Sequence, residues 1–535
     1  MNDSQPVKKQ SFLQGAAVLA LATLIVKVIG MFYKIPLGNI IGDAGYGYFT
    51  TAYDIYSVLL MVSTTGLPVA MSRMISESRA MGNTAQIRKI FRTALYVFLT
   101  IGIIGTVGML VLCKPLSVLA TSFDTSWAAI ACLAPSVLFI CVISAFRGFF
   151  QGQSNMNPTS VSQVFEALCK LAIGLGAAWL IMHYVGDVTL AAGGAILGVT
   201  VGCVISMLYL WRQYAKATAG ESFHAGAVKS TGKTMKELLA IAVPITLGSA
   251  GLQLINLVDT MVFMRRLTDA AGFVQAQAEN AKGIYNFCQT IFNLPCAFIT
   301  PITISIIPAI TEHLTCKNDE AAMQVEDSAV RLMSLIAMPC AVGLAVLAGP
   351  ILQLLRGYEG ETLVTGSQIL GILGVAVIFN SLVLTTNAIM QAHGHVTRPV
   401  VHMLIGGVVK VIVNYFLVGL PAVNIIGAPI GTLACYVTIT ALNLIAMARM
   451  SGEHKAKPIR SMLKPFLAAA AMGLGAYMSY DVLHKFLSQR IACLGAVLVG
   501  VVVYLIFVLV LRIITYDDCL LLPKGEKIAK FLRIR

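Results

Sequence analysis

Thr23, Lys27, Gly30 and Lys34 fall at i, i+4, i+7 and i+11 of an apolar run, so they share one helical face. Ammonium groups set in hydrocarbon this way suit an anion, because lysine meets phosphate oxygens as a compact point charge. The next polar face holds Thr50, Asp54, Ser57 and Thr64, and Glu166 stands four residues before Lys170, the order that favours a pair within one helix. Farther on, Gln253, Asn256 and Asp259 line a face that ends in Arg265 and Arg266. Lys282, Tyr285, Asn286, Gln289 and Asn293 line another, and Lys410 closes the series.

A charge at the middle of a bilayer costs between about 3 and more than 10 kcal/mol. These residues are therefore expected to face a watery, cationic cavity: Lys27, Lys34, Asp54, Lys170, Lys282 and Lys410 would line it. Asp54 either pairs with a cavity lysine or titrates with a coupling ion. Glu166, Asp259 and Asn256 stand as ion-coupling groups or as members of structural pairs. The blander readings are specific too: snorkelling for Lys34 near the end of its span, self-neutralisation for Glu166 and Lys170, and pairing of Asp259 with Arg265 or Arg266. Lys27, at mid-span, is poorly placed to snorkel.

The elements that carry these residues are membrane helices. The chain has 535 residues, 57% hydrophobic and 12% charged, with a mean hydropathy of +0.82; a soluble domain is roughly 25% charged. An all-α polytopic membrane protein follows. At about 20 residues per span the sequence predicts fourteen, the first two at 12–40 and 46–78 and the eighth at 280–311. Pro36 is expected to bend or end the first, and Gly66 with Pro68 to kink the second.

Gln151–Lys170 and Gln391–Lys410 match at both ends, and Thr64–Glu77 resembles Phe298–Glu312 at nearly the same offset. The pattern predicts a six-helix lobe at 1–215, a cytoplasmic linker at 216–235 and a second, parallel-repeat lobe at 236–450. Two additional helices at 451–514 and a basic tail at 515–535 complete it.

The net charge of +14 does not mark a nucleic-acid binder, since no Lys/Arg stripe is interleaved with aromatics. The basic residues set orientation instead. With both termini in the cytoplasm the outer side receives only Lys114, Arg265, Arg266, Arg356, Lys485 and Arg490. The twelve cysteines form no C-x-x-C pair and no Cys/His cluster, so neither a metal nor a cofactor is expected. No Walker loop, H-E-x-x-H or G-x-S-x-G is present. The chain is not expected to be an enzyme, and its energy must come from an ion gradient, the membrane potential or the substrate's own gradient.

The stretches KVIGMFYKIPLGNIIGDAGYGYF, TTGLPVAMSRMISE, RGFFQGQSNMNPTSVSQVFE and LINLVDTMVFMRRL resemble the polysaccharide transporter branch of the multidrug/oligosaccharidyl-lipid/polysaccharide (MOP) exporter superfamily. Within it they are most similar to the stage V sporulation protein B and lipid II flippase group. That resemblance covers essentially the whole chain, and it implies two lobes around a central cationic cavity in a bacterial plasma membrane. The implied substrate is an undecaprenyl-diphosphate-linked saccharide moved to the outer leaflet by alternating access. Lys27 and Lys34 occupy places where such flippases carry basic residues, with lysine here in place of arginine. The implied partners are that lipid-linked saccharide, membrane lipid and a coupling ion, sodium or proton, with the chain acting as a monomer. The alternatives are a cation-coupled multidrug exporter of the same superfamily and a membrane-embedded glycan polymerase or ligase.

Overall fold

A computed structural model describes residues 12–219, 228–450 and 458–513. The expected basic tail at 515–535 lies outside them, as does part of the linker at 216–235. The first half runs α1 (Phe12–Met61), α2 (Leu67–Ala80), α3 (Thr84–Val111), α4 (Cys113–Thr121), α5 (Trp127–Gly152), α6 (Asn157–Cys169), α7 (Leu175–Tyr184) and α8 (Val188–Thr218). Then come α9 (Thr231–Asp269), α10 (Gln275–Thr315), α11 (Asp319–Val346), α12 (Ala348–Arg356), α13 (Gly360–Ala392), α14 (Thr397–Leu417), α15 (Gly427–Met450), α16 (Pro458–Leu483) and α17 (Gln489–Val510). No strand occurs among the described residues.

Twelve helices among the described residues are long and apolar enough to cross a membrane, against the fourteen expected. Part of the difference lies in α1, which counts once. Pro36 does not end it, because a membrane helix tolerates the one lost hydrogen bond. The break comes at Gly42, whose φ of 70° and ψ of −174° are essentially glycine's alone. The Tyr33 and Phe49 rings lie 5.8 Å apart, whereas continuous helix would separate those positions by about 24 Å. α1 is therefore a hairpin of two arms that reverses at Gly42. Its second arm loosens into a π-helical turn, Val62–Gly66, before α2 begins with Pro68 in its first turn. The kink expected at Gly66 and Pro68 takes that form. Only glycine fits at 66, where a Cβ would fall 2.3 Å from the Ala242 carbonyl oxygen of α9.

By packing, the chain forms two compact units. One holds the described residues up to Arg265 together with Gln275–Gly283; the other holds Arg266–Val274 and the described residues from Ile284 onward. The repeat reading groups α9 with the second half, yet nearly all of α9 and the first turns of α10 pack with the first.

In the first unit, Gly194, Gly198 and Gly202 form a stripe along α8. Membrane helices associate through such small residues, since no hydrophobic drive separates side chains from lipid. A Cβ on Gly198 would lie 2.4 Å from the Gly174 nitrogen, and one on Gly202 would lie 3.0 Å from the Glu166 carbonyl oxygen. α8 thus rests on the backbone of α6 and of the π-helical turn Lys170–Gly174 that follows it. The Tyr33 hydroxyl donates to the Ala195 carbonyl at 2.9 Å, tying the first arm of α1 to α8.

In the second unit α11 packs on α13 and α16, and α14 on α15. Asn443 of α15 donates from Nδ2 to Thr386 Oγ1 and Asn387 Oδ1, both at 2.8 Å, while its Oδ1 lies 2.7 Å from His402 Nδ1. With both amide hydrogens spent, the oxygen accepts, so His402 carries its hydrogen on Nδ1.

His393, just beyond α13, stands 2.7 Å from Glu326 Oε1 of α11, and that hydrogen bond raises the imidazole above its usual 6.5. A raised folded-state value means stabilisation that is complete below about pH 6.5 and lost as pH rises through the raised value. His393→Gln is expected to flatten this part of the pH dependence of thermal unfolding in detergent. An identical pH profile for the two proteins would remove the pair from the account.

Candidate functional site

The polar residues of the first unit converge around the α1 hairpin. Lys34 stands on the first arm; Thr51, Asp54 and Ser57 stand on the second. Lys170 opens the π-helical turn, α9 brings Gln253 and Thr260, and the first turns of α10 bring Lys282.

Lys282 is 3% exposed. Its ammonium donates to Thr51 Oγ1 and lies 3.7 Å from Asp54 Oδ2. The same carboxylate oxygen accepts from the Thr260 hydroxyl at 3.1 Å, and Ser57 Oγ stands 3.2 Å from Gln253 Oε1. One lysine is therefore committed to one carboxylate.

Lys170 is held differently. Its ammonium lies 4.5 Å from the ring centre of Tyr53, 4.9 Å from Tyr33 and 5.7 Å from Phe49. The negative faces of the three rings attract it without taking up its hydrogens. Tyr33 comes from one arm of α1 and the other two from the second, so the reversal at Gly42 builds the cage. Lys34 is half-buried, within Coulombic range of both Asp54 and Lys170. Neither Lys34 nor Lys170 makes a hydrogen bond or salt bridge among the described residues. Lys34, Lys170 and Lys282 outnumber Asp54, an arrangement suited to an anion and hostile to a cation.

The structure brings together Lys34, Asp54, Lys170 and Lys282. Lys27 is exposed farther back on the face of α1 that carries Lys34, and Lys410 is half-buried in the second unit, within range of Tyr436. Glu166 does not pair with Lys170. It takes Arg147 of α5 at 3.2 Å, and Arg147 also donates to Ser162 Oγ at 3.0 and 2.9 Å. The planar guanidinium serves both acceptors, which an ammonium four residues away on a loosened turn does less well. Asp259 is buried and Asn256 exposed. Arg266 donates to the Tyr415 carbonyl at 2.9 Å and stacks on that ring at 4.4 Å, so its guanidinium is engaged within the second unit. The ring cage, Arg147 and Thr260 escaped the sequence reading. Tyr46, Phe49, Tyr53 and Tyr56, at helical spacing, were the available sign of an aromatic face. No group of His, Cys, Asp and Glu among the described residues is arranged to hold a metal.

Residues 12–314 match the family described as polysaccharide biosynthesis protein. The chain belongs to that family. Residues 244–416 also match the MatE family, and both place the chain in the MOP superfamily, in its polysaccharide transporter branch. The polysaccharide biosynthesis match is echoed by two relatives of Bacillus subtilis (strain 168). The uncharacterized membrane protein YabM is 28% identical over 551 residues, 100% of this chain and 99% of that one. The lipid II flippase MurJ is 27% identical over 507 residues, 92% of each. A solved lipid II flippase MurJ in an inward closed conformation has the same fold, with a TM-score of 0.69 at 15% identity, over 94% of this chain and 100% of that one. This polysaccharide biosynthesis family member is thus a multi-pass membrane protein, a flippase or exporter of the MOP superfamily and not an enzyme.

The commitment of Lys282 to Asp54 is testable in the folded protein alone. Lys282 is buried and Asp54 half-buried, so removing the carboxylate strands the lysine at a cost of up to about 3 kcal/mol. Asp54→Asn is expected to lower the thermal midpoint in detergent, and Asp54→Asn with Lys282→Met is expected to restore most of it. A double variant no more stable than the single one would show that the lysine's charge is not what Asp54 answers.

Proposed function

We propose that the chain is an alternating-access flippase that carries an undecaprenyl-diphosphate-linked saccharide, a lipid II-like cell-wall or polysaccharide precursor, from the inner to the outer leaflet of a bacterial plasma membrane. The observation that carries this reading is the pair Lys34 and Lys170, two neighbouring amine groups whose hydrogens no described residue accepts, in a site where lysines outnumber the carboxylate Asp54. A diphosphate diester carries two negative charges and many acceptor oxygens, and ammonium hydrogen bonds to it are charge-assisted. The substrate's polar head would cross within the site while its polyprenyl tail stays in lipid, along α16 and α17.

Lys27 and Lys410 extend the cationic surface in this reading, and Lys282 with Asp54 and Asp259 resets the site after release. The coupling ion is sodium or a proton, both termini are cytoplasmic, the two six-helix lobes are related by the sequence repeat, and the monomer suffices. A cation-coupled drug exporter is disfavoured by the lysine surplus, which repels cationic drugs.

The test is transbilayer movement of a fluorescent undecaprenyl-diphosphate saccharide in proteoliposomes. Lys27→Ala, Lys34→Ala and Lys170→Ala are each expected to slow it about tenfold or more while the protein stays folded. Unchanged movement in the Lys34 and Lys170 variants would sink the diphosphate site. No movement by the unmodified protein under any gradient, with a cationic dye carried instead, would replace the flippase by the drug exporter.

A further inference from the structure

The hold of α10 on α1 depends on a second carboxylate, one turn before Lys282. Glu279 is 5% exposed. It accepts from the Tyr48 hydroxyl at 2.6 Å, from the Thr125 hydroxyl, and from the Gln275 amide at 3.2 Å. Tyr48 lies on the second arm of α1, Thr125 in the connection before α5, and Gln275 at the start of α10.

One turn farther, Gly283 is pressed so closely on α1 that a Cβ would lie 1.9 Å from the Asp43 carbonyl oxygen. A Cβ on Gly47 would stand 3.1 Å from the carbonyl oxygen of Glu279 itself. Between these contacts Lys282 reaches Thr51 and Asp54. The apolar side chains that the segment buries are only Ala278 and Ala281. The next residue, Ile284, already packs with the second unit.

This is an unusual way to fasten a membrane helix. A seam of leucine and phenylalanine would stay shut in water because of its apolar area. A seam of hydrogen bonds on small residues behaves oppositely, since water can take over every donor and acceptor as it opens. The strength of this one is concentrated in Glu279, because bonds to an ionised acceptor are roughly twice as strong as neutral ones. The segment begins at the α9–α10 connection, which the charge asymmetry of the sequence assigns to the outer face.

We propose that Gln275–Gly283 is a releasable clasp on the α1 hairpin, with Glu279 as its positioning residue, closed when the site is shut on that side and opened by water during transport. The transport role rests on the flippase reading; the clasp itself does not.

The experiment compares the full chain in lipid nanodiscs with Glu279→Gln and Gly283→Ala, which loosen the same seam by different chemistry. Hydrogen–deuterium exchange is followed over residues 43–54 and 275–283, with α5 as the internal reference. Binding and movement of the fluorescent undecaprenyl-diphosphate saccharide are measured alongside. Both variants are expected to exchange about tenfold faster in the two segments and unchanged in α5, to bind the probe within about twofold of the unmodified protein, and to turn over several-fold more slowly.

Unaltered exchange in both variants would overturn the clasp. Loss of probe binding together with turnover would overturn it too, by placing Glu279 in the anion site. Should Glu279→Gln also loosen α5, Tyr48→Phe decides, because it deletes one donor and leaves the carboxylate in place: faster exchange confined to the two segments supports the clasp, and no change refutes it. An unmodified protein that does not bind the probe refutes the flippase reading alone, and the exchange data still decide the clasp.

Discussion

An ammonium group in hydrocarbon must be met by something, and the way this protein meets that demand shapes its first unit. Lys282 is met by a carboxylate and a hydroxyl. Lys170 is met by the faces of Tyr33, Phe49 and Tyr53. The two solutions differ in consequence. A carboxylate cancels the charge and occupies its hydrogens, while rings lower the cost of burial and leave the hydrogens to a ligand. The rings require α1 to reverse at Gly42, and the position of Lys170 requires α8 to rest on bare backbone through its glycine stripe.

Much of this was legible in the sequence. Apolar runs of spanning length set the fold class, because the bilayer leaves helices almost no competitor when composition is this apolar. Lys34, Asp54, Lys170 and Lys282 were visible as charges where charge is expensive. What periodicity cannot report is which helices meet. It describes a face of one helix and is silent about the neighbour across from it, so the spacing of Glu166 and Lys170 offers a same-helix pair while Arg147 of another helix is the partner in the structure. In lipid, the missing hydrogen bond at Pro36 is tolerated, and the turn falls where a positive φ is available, at Gly42.

Glu279 shows a different limit. In the sequence it stands near the head of α10 among alanine, asparagine and glutamine, a composition that reads as a loop-facing helix end. Its burial follows only from the close seat of Gly283 on Asp43 and of Gly47 on Glu279. Gly47 lies on α1 and Glu279 with Gly283 on α10, and a single sequence carries no joint signal from helices so far apart in the chain.

The surplus of positive charge in the site has an electrical consequence. In the proposed flippase, a bound dianion offsets the positive charge of the site, and the empty site carries that charge unopposed. A membrane voltage does little work on a neutral carrier and acts on a charged one, by about 2.3 kcal/mol per charge for each 100 mV crossed. On the proposed cycle, under a voltage negative inside, the driven half would be the return of the empty site toward the cytoplasm. The voltage would make the cycle directional without pulling on the cargo at all.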